Sequence, residues 1–449
     1  MKRIKIIGFL AAGLFAFFNA SAQEVLTLQQ AIKFALENKA DAKKASLDLE
    51  NSQYKIDEVR SGALPHLTGV GTLTYNPMLQ KVALPGELAG MPGQTLLVAM
   101  GQKWQSNGAL QVNQQIFNQS LFTGLKAAKT TREFYVLNKD MTDEQLIEKI
   151  ATAYYDVFQT KLQVETIDIN LNNTIKTRDV IEGLVKAGLG KKIDLDRTNV
   201  AINNLKANRQ IALNALELRE NALKFAVGMP IEENIALPKE TFAINPAVAV
   251  LETTNLEGRT EVKVLNKQLE LLELNKKAMS ADYYPTLSFS GNYGYLGMGP
   301  SFPIFSADKA VKWSGFSGLS LNLSVPIFNG GLTRSKINQA NIQIKTAKVD
   351  LDNTKLALSL GNENARAQIK NSLLTINNNK ENVKLAKEVL SDTENNYKNG
   401  LATLTELLDA ERAYADAQNN LNTALLNYKV AEVQLIKAKG ELKTLVNEK

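Results

Sequence analysis

Proline is missing from two long stretches of this chain, and nothing else in the sequence narrows the possible folds as much. The eleven prolines stand at 65, 77, 85, 92, 230, 238, 246, 285, 300, 303 and 326, so 93–229 and 327–449 hold none. A proline inside a helix removes a hydrogen bond and clashes with the preceding turn, at about 3 kcal/mol. Long helices can therefore run in these two stretches. In the second, Leu407, Ala410, Tyr414, Ala417, Leu421, Ala424, Tyr428, Ala431, Leu435 and Ala438 keep a strict 3,4 spacing over more than four heptads. That is a left-handed coiled-coil seam, in which alanine alternating with leucine or tyrosine lets neighbouring helices approach closely. The 67 residues from Ser120 to Lys186 would reach about 100 Å if helical throughout. A helix of that length cannot be wrapped inside a compact domain.

The chain also repeats itself. VKAGLGKKIDLDRTN at 185–199 matches YKNGLATLTELLDAERA at 397–413, with Gly188-Leu189 over Gly400-Leu401, a shift of 212. The same shift carries the seam onto Leu195, Thr198, Ile202, Leu205, Arg209, Ala212, Leu216, Arg219, Leu223 and Ala226, apolar at seven of ten places. QVNQQIFNQ at 111–119 likewise matches NLSVPIFNG at 322–330. The sequence thus predicts two copies of one helix, β-hairpin and long helical hairpin unit. The first spans 23–228, with a helix over about 27–60, a β-hairpin at 66–117 and a helical hairpin at 119–228. A linker at 229–257 leads to the second, 258–449, with a helix at 259–281, a β-hairpin at 286–328 and a helical hairpin at 330–445.

The predicted strands alternate. Leu287, Phe289, Tyr293 and Tyr295 alternate with Thr286, Ser288, Ser290 and Asn292, and Leu319, Leu321, Leu323, Val325 and Ile327 with Ser320, Asn322 and Ser324. In the first repeat, Leu110, Val112 and Ile116 alternate with Gln111, Asn113 and Gln115, beside a weaker, glycine-rich strand at 66–76. Dyad segments of about ten residues match the length that crosses an outer-membrane-type bilayer when tilted. Trp104, Trp313, Tyr293 and Tyr295 lie toward strand ends on the apolar parity, as an aromatic girdle would. The hairpins are joined by long loops, about 77–103 and 297–312, rich in glycine and proline. Four strands cannot close a barrel, because single-chain barrels begin at about eight. An open sheet in lipid would leave two edges of unpaired backbone, at several kcal/mol per group. The barrel must then be shared between copies of the chain. Two, three or four copies would give about eight, twelve or sixteen strands, and counting does not choose among them. The polar parity becomes the wall of a common water-filled pore.

The N-terminus and the composition agree with export. MKRIKIIGFLAAGLFAFFNASA, residues 1–22, has a basic start, an apolar run from Ile6 to Phe18 and small residues at Ala20 and Ala22, the pattern of a cleaved signal peptide with the mature start at Gln23. Thirteen apolar residues are too few to span about 30 Å of hydrocarbon. No later segment has eighteen consecutive apolar residues, the signature of a membrane helix. Cysteine is absent, which removes disulfides, thiolate chemistry and an N-terminal lipidated cysteine. The formal charge of +6 includes three positive residues of the signal peptide, and the remainder is too small to argue for nucleic acid. His66 is the single histidine, which leaves Ser-His triads and histidine-based zinc sites without support. The clusters GVG at 69–71 and GNYGYLG at 291–297 sit in predicted strands and lack the context of a phosphate cradle. The sequence predicts no enzyme and no cofactor.

Taken together, the duplicated unit, Pro65 and Pro285 ahead of the odd strands, PIFNGG at 326–331, and the paired breaks AGLGKKIDLD and NGLATLTELLD resemble the TolC family of outer-membrane efflux channels over the whole mature chain. The resemblance implies a mainly α fold with a membrane β-barrel: a homotrimer whose twelve-stranded barrel in the outer membrane of a Gram-negative-type envelope continues as a twelve-helix coiled-coil tunnel. The linker would form an equatorial belt. It further implies a passive exit duct in a tripartite efflux or secretion system, gated at its periplasmic end and opened when a periplasmic membrane-fusion adaptor and an inner-membrane pump of the RND type engage. Gln115 in place of Pro326, and Gln119-Ser120 in place of Gly330-Gly331, depart from the second repeat at one barrel-to-helix junction.

Carried over motif by motif, Gly188, Leu189, Gly400 and Leu401 are the implied adaptor-docking residues, Glu406 and Asp409 the acidic pair at the periplasmic aperture, and Asp194 and Tyr397 a closed-state latch. Threefold symmetry would set six such carboxylates round one constriction. Charges about 10 Å apart at an effective dielectric of about 20 still interact by about 1.7 kcal/mol, so the ring would favour cations. Ala402 stands where the family often has arginine, leaving Lys191 or Lys192 as the only substitutes. Two other classes remain open: a periplasmic coiled-coil adaptor or scaffold, which would carry a compact lipoyl-like or barrel domain instead of dyad strands, and a free-standing porin, which would conduct without partners.

Overall fold

The computed structural model describes residues 25–86, 90–238, 242, 244, 255–304 and 308–447. The predicted signal peptide lies outside them, as does much of the 229–257 linker. The first repeat runs α1 (Leu28–Asn38), α2 (Ala40–Ser61), β1 (His66–Tyr75), β2 (Lys81–Pro85), β3 (Thr95–Ala99), β4 (Trp104–Phe117), α3 (Gln119–Lys186) and α4 (Lys192–Val227). The second runs α5 (Thr260–Ser280), β5 (Thr286–Gly299), β6 (Lys312–Ser324), α6 (Leu332–Lys398) and α7 (Leu404–Lys439). Among the described residues, contacts divide the chain into a helical unit (from 25–44, 140–238, 255–259 and 357–447) and a strand-bearing unit (from 45–139 and 260–356), each drawing on both repeats.

In the helical unit the duplication holds to the residue. Helices α4 and α7 are 36 residues each, and both their ends differ by the 212-residue shift. All four long helices stop at a left-handed glycine, Gly188, Gly228, Gly400 and Gly440, with φ of 75, 86, 73 and 78°. The next N–H then bonds back five residues, as in Leu189 to Leu184 and Leu401 to Asn396, closing a Schellman turn that only glycine enters without strain. The predicted α7 seam is packed: Leu407, Ala410, Ala417, Ala424, Tyr428, Ala431, Leu435 and Ala438 are buried. Two of the polar interruptions in the α4 seam meet acids on α3, Arg209 with Asp168 at 2.5 Å and Arg219 with Asp156 at 3.6 Å. The core joins Ile32 and Ala35 of α1 to Ile147, Ile150 and Tyr154 of α3, Leu223 and Val227 of α4, and Leu426 and Val433 of α7. The linker covers part of it. Leu26 N–H bonds to the Ala236 carbonyl at 2.7 Å, and Phe242 meets Phe158 edge-on at 5.3 Å.

One helix was expected over 27–60, but the structure breaks it at Lys39, whose backbone is extended with ψ 137°. The break lets Lys39 Nζ donate to the Phe225 carbonyl in the last turn of α4 and sit 3.8 Å from the Phe225 ring centroid. Arg259 repeats this arrangement at the head of α5: it is 2% exposed and donates from Nη1 to the Ala438 carbonyl, in the last turn of α7, at 2.7 Å. A cation on the orphan carbonyls at the negative end of a helix is favourable on both counts.

In the strand-bearing unit, β1, β4, β5 and β6 form one antiparallel sheet in the order β1-β4-β5-β6. The register sets Leu67 beside Val112, Leu110 beside Tyr293, and Phe289 beside Leu321, so one parity across all four strands is mostly apolar, broken by Ser106, Gln114 and Ser317. That face is open: Leu319, Leu321 and Leu323 are 80, 68 and 66% exposed. On the opposite parity Ser290 pairs with Ser320, and Asn322 Nδ2 donates to Ser290 Oγ at 3.1 Å. Farther toward the loops this face carries Val70, Ala109, Gly294 and Phe316 at one level. Tyr75 and Trp104 stack with centroids 4.5 Å apart and Phe302 adds an edge at 5.3 Å, an aromatic zone at the loop end. Tyr283 and Tyr284, about half exposed, stand at the other end of β5.

Three local expectations change. The chain leaves the sheet at Ser324 rather than continuing through Ile327, because Pro326 has no N–H for a ladder; Ile327 and Phe328 are 95 and 90% exposed. In β4 a bulge skips Ile116, so Phe117 rather than Ile116 pairs with Leu287. The loop after β1 contains a second ribbon, β2 with β3. The two strand-to-helix junctions also differ. Asn118 caps α3 by accepting from Ser120 N–H at 2.9 Å, whereas Gly330 and Gly331, with φ of 64 and 82°, turn the chain into α6.

Candidate functional site

The tips of the two helical hairpins are built alike and finished differently. Each places a leucine directly after the left-handed glycine, with nothing over it: Leu189 is 80% exposed and Leu401 78%. Helix α7 then starts in a capping box. Thr403 N–H donates to Glu406 Oε2 at 2.6 Å, and Glu406 N–H to Thr403 Oγ1 at 3.3 Å. These bonds from the Thr403 backbone and hydroxyl hold the exposed Glu406 carboxyl below its ordinary range. At the matching place α4 has Lys191, which makes no side-chain cap. Its counterpart of Glu406 is Asp194, so the same repeat position gives one carboxylate to the cap and leaves the other to face its neighbours.

That neighbour is Tyr397, packed with Leu390, Leu407, Ala410 and Tyr414. Burial pushes the Tyr397 phenol up, and the nearby Asp194 charge adds to the shift. The Asp194 charge reaches the predicted latch partner Tyr397, but no hydrogen bond joins the two. Asp409 lines a cavity of about 720 Å³ between α3, α4 and α7, with Arg197, Glu411, Arg412 and Asp416. Asp409 and Arg197 occupy equivalent repeat positions, one acidic and one basic.

Glu411, absent from the sequence reading, is the buried acid of this region. It is 5% exposed, and the hydroxyls of Thr174 and Thr177 on α3 reach its two oxygens at 2.9 and 3.0 Å. An acid flanking the Ala410 seam position opposite a Thr-x-x-Thr run on the other long helix was the available signal. Among the described residues no group of three or more metal-binding side chains occurs, and no helix is long and apolar enough to cross a membrane.

The chain is similar to known outer membrane proteins. The model of a family described as "Outer membrane efflux protein" matches residues 254–441. The chain is 22% identical over 436 residues to outer membrane protein TolC of Escherichia coli, covering 94% of this chain and 84% of that protein. It is 24% identical over 438 residues to the probable efflux pump outer membrane protein TtgC of Pseudomonas putida, covering 92 and 82%. Among solved structures, the outer membrane protein VceC of Vibrio cholerae shares the fold with a TM-score of 0.72 at 18% identity, over 92% of this chain and 96% of that one. The MtrE outer membrane channel of Neisseria gonorrhoeae in its open state gives 0.68 at 21% identity, over 92 and 88%. The duplicated tips, the apolar sheet face and these relatives point the same way: the chain has the fold of these outer membrane channels and is similar in sequence to TolC and to efflux pump outer membrane proteins.

Proposed function

We propose that this chain is the outer-membrane duct of a tripartite efflux system: a homotrimer whose sheets close a twelve-stranded barrel, whose long helical hairpins form a twelve-helix tunnel, and whose tips gate a passive exit. A periplasmic adaptor engages Leu189 and Leu401 beside Gly188 and Gly400, and an RND-type inner-membrane pump supplies the energy. The observation that carries the reading is the open sheet. Its edge strands β1 and β6 run in opposite directions, so β6 of one copy can pair antiparallel with β1 of the next, and the ring closes without leaving an edge. Its largely apolar face suits lipid, which an adaptor or scaffold would not need.

In this reading Glu406 and Asp409 from three copies surround the aperture, and Asp194 with Tyr397 steadies the closed state. Purified full-length protein in planar bilayers is expected to conduct weakly and prefer cations. Glu406→Ala with Asp409→Ala should raise conductance and weaken that preference, and Asp194→Ala with Tyr397→Phe should raise leakiness. Unchanged conductance and selectivity in the acidic double variant would remove the aperture assignment, and an unchanged second variant would remove the latch.

A further inference from the structure

Helices α3 and α7 lie antiparallel and are tied by polar contacts in a regular register. Lys437 pairs with Glu148 at 2.9 Å, Asn422 donates to Thr166 at 3.4 Å, and the Thr174 and Thr177 hydroxyls meet Glu411. Among the described residues no hydrogen bond or ion pair joins α3 to α7 beyond Glu411 toward the tips. Glu411 is thus the last polar tie between α3 and α7 before the tips.

We propose that Glu411 is a protonatable clasp that holds the α6–α7 hairpin against the α3–α4 hairpin and sets the point from which the pore opens. This rests on the channel reading above. The hydrogen-bond geometry also accommodates the neutral acid. The Thr174 hydroxyl has one proton and two oxygens within reach, the Asn170 carbonyl at 3.0 Å and Glu411 Oε2 at 2.9 Å. A protonated Glu411 resolves the competition by donating to Thr174 Oγ while its other oxygen accepts from Thr177. The surroundings agree: burial pushes the Glu411 carboxyl up and outweighs the two threonine contacts, and Glu394 of α6 pushes it further. The other charged groups beside it are Arg197 on α4 and Asp409, Arg412 and Asp416 on α7; α3 contributes none to either adjoining cavity.

The sign follows by linkage. A raised closed-state pKa means that the closed clasp keeps its proton at a pH where an opened, hydrated Glu411 has released it. Closure is therefore strengthened as pH falls and weakened as pH rises through the raised value.

The test uses full-length protein in planar bilayers at neutral and mildly acidic pH. Wild type is expected to be tighter at acidic pH, and Glu411→Gln, which supplies a permanent donor and acceptor in the same shape, to stay tight at both. Thr174→Val with Thr177→Val should raise the open-to-closed ratio about tenfold, the combined worth of two ordinary neutral hydrogen bonds. Glu411→Gln as pH-sensitive as wild type, or a double valine variant as tight as wild type while Asp194→Ala with Tyr397→Phe leaks, overturns the clasp and leaves the channel standing. No conductance from wild type or any variant overturns the channel reading and the clasp with it.

Discussion

Leu321→Arg is expected to abolish assembly of the protein into lipid, whereas Ser320→Arg, one residue away, is expected to leave assembly intact. The two side chains stand on opposite parities of β6. Leu321 lies beside Phe289 on the open apolar face, and Ser320 lies beside Ser290 on the polar one. A charge on the lipid face of a barrel costs about 2–4 kcal/mol near the bilayer midplane and little on the water-filled side. In a trimer the penalty recurs once per copy, so it exceeds what a marginally stable assembly can absorb. The readout is the fraction of purified chain that becomes carbonate-resistant and heat-modifiable when refolded into vesicles. Equal behaviour of the two variants would mean that the sheet does not separate lipid from water.

The second large effect lies in the helical unit. Arg259→Ala is expected to destabilise that unit by about 3 kcal/mol, because it removes a buried charged hydrogen bond and leaves both a cavity and orphan carbonyls at the end of α7. Lys39→Ala, the same change in the first repeat, should lose only about 1 kcal/mol, since the ammonium of Lys39 is partly hydrated already. Denaturant unfolding followed by far-ultraviolet circular dichroism separates the two. Equal losses would show that burial of Arg259 adds nothing to a shared capping role.

This duplicated cap was readable and went unread. Leu36-Glu37-Asn38-Lys39-Ala40-Asp41 and Leu256-Glu257-Gly258-Arg259-Thr260-Glu261 share leucine, glutamate, a helix-ending residue, a cation and an acid in order. Their spacing of 220 differs from the 212 that governs the tips, so a search at one offset misses them. The features that follow from side-chain periodicity alone were legible: the α7 seam, the tip glycines and the parity of β5 and β6. Those decided by a few backbone hydrogen bonds were not. The bulge at Ile116, the end of β6 at Ser324 and the break at Lys39 each turn on one residue that the periodic pattern treats as ordinary. At the site, the motif located Glu406 but could not show that its carboxylate serves the Thr403 cap. Glu411 escaped because a lone acid on a long charged helix looks like a solvated face until the opposite helix is in place.

The central claim, that several copies complete one barrel, is tested most directly by cross-linking the two sheet edges in a chain that has no cysteine of its own. Leu67→Cys in β1 is combined in turn with Leu319→Cys, Leu321→Cys and Leu323→Cys in β6, and the membrane-assembled protein is oxidised. Within one sheet these strands are three spacings apart, about 14 Å, well beyond disulfide reach. The account predicts covalent dimers and trimers, and no larger product, from at least one pair. Monomer alone from every pair, with the cysteines still free, would contradict it.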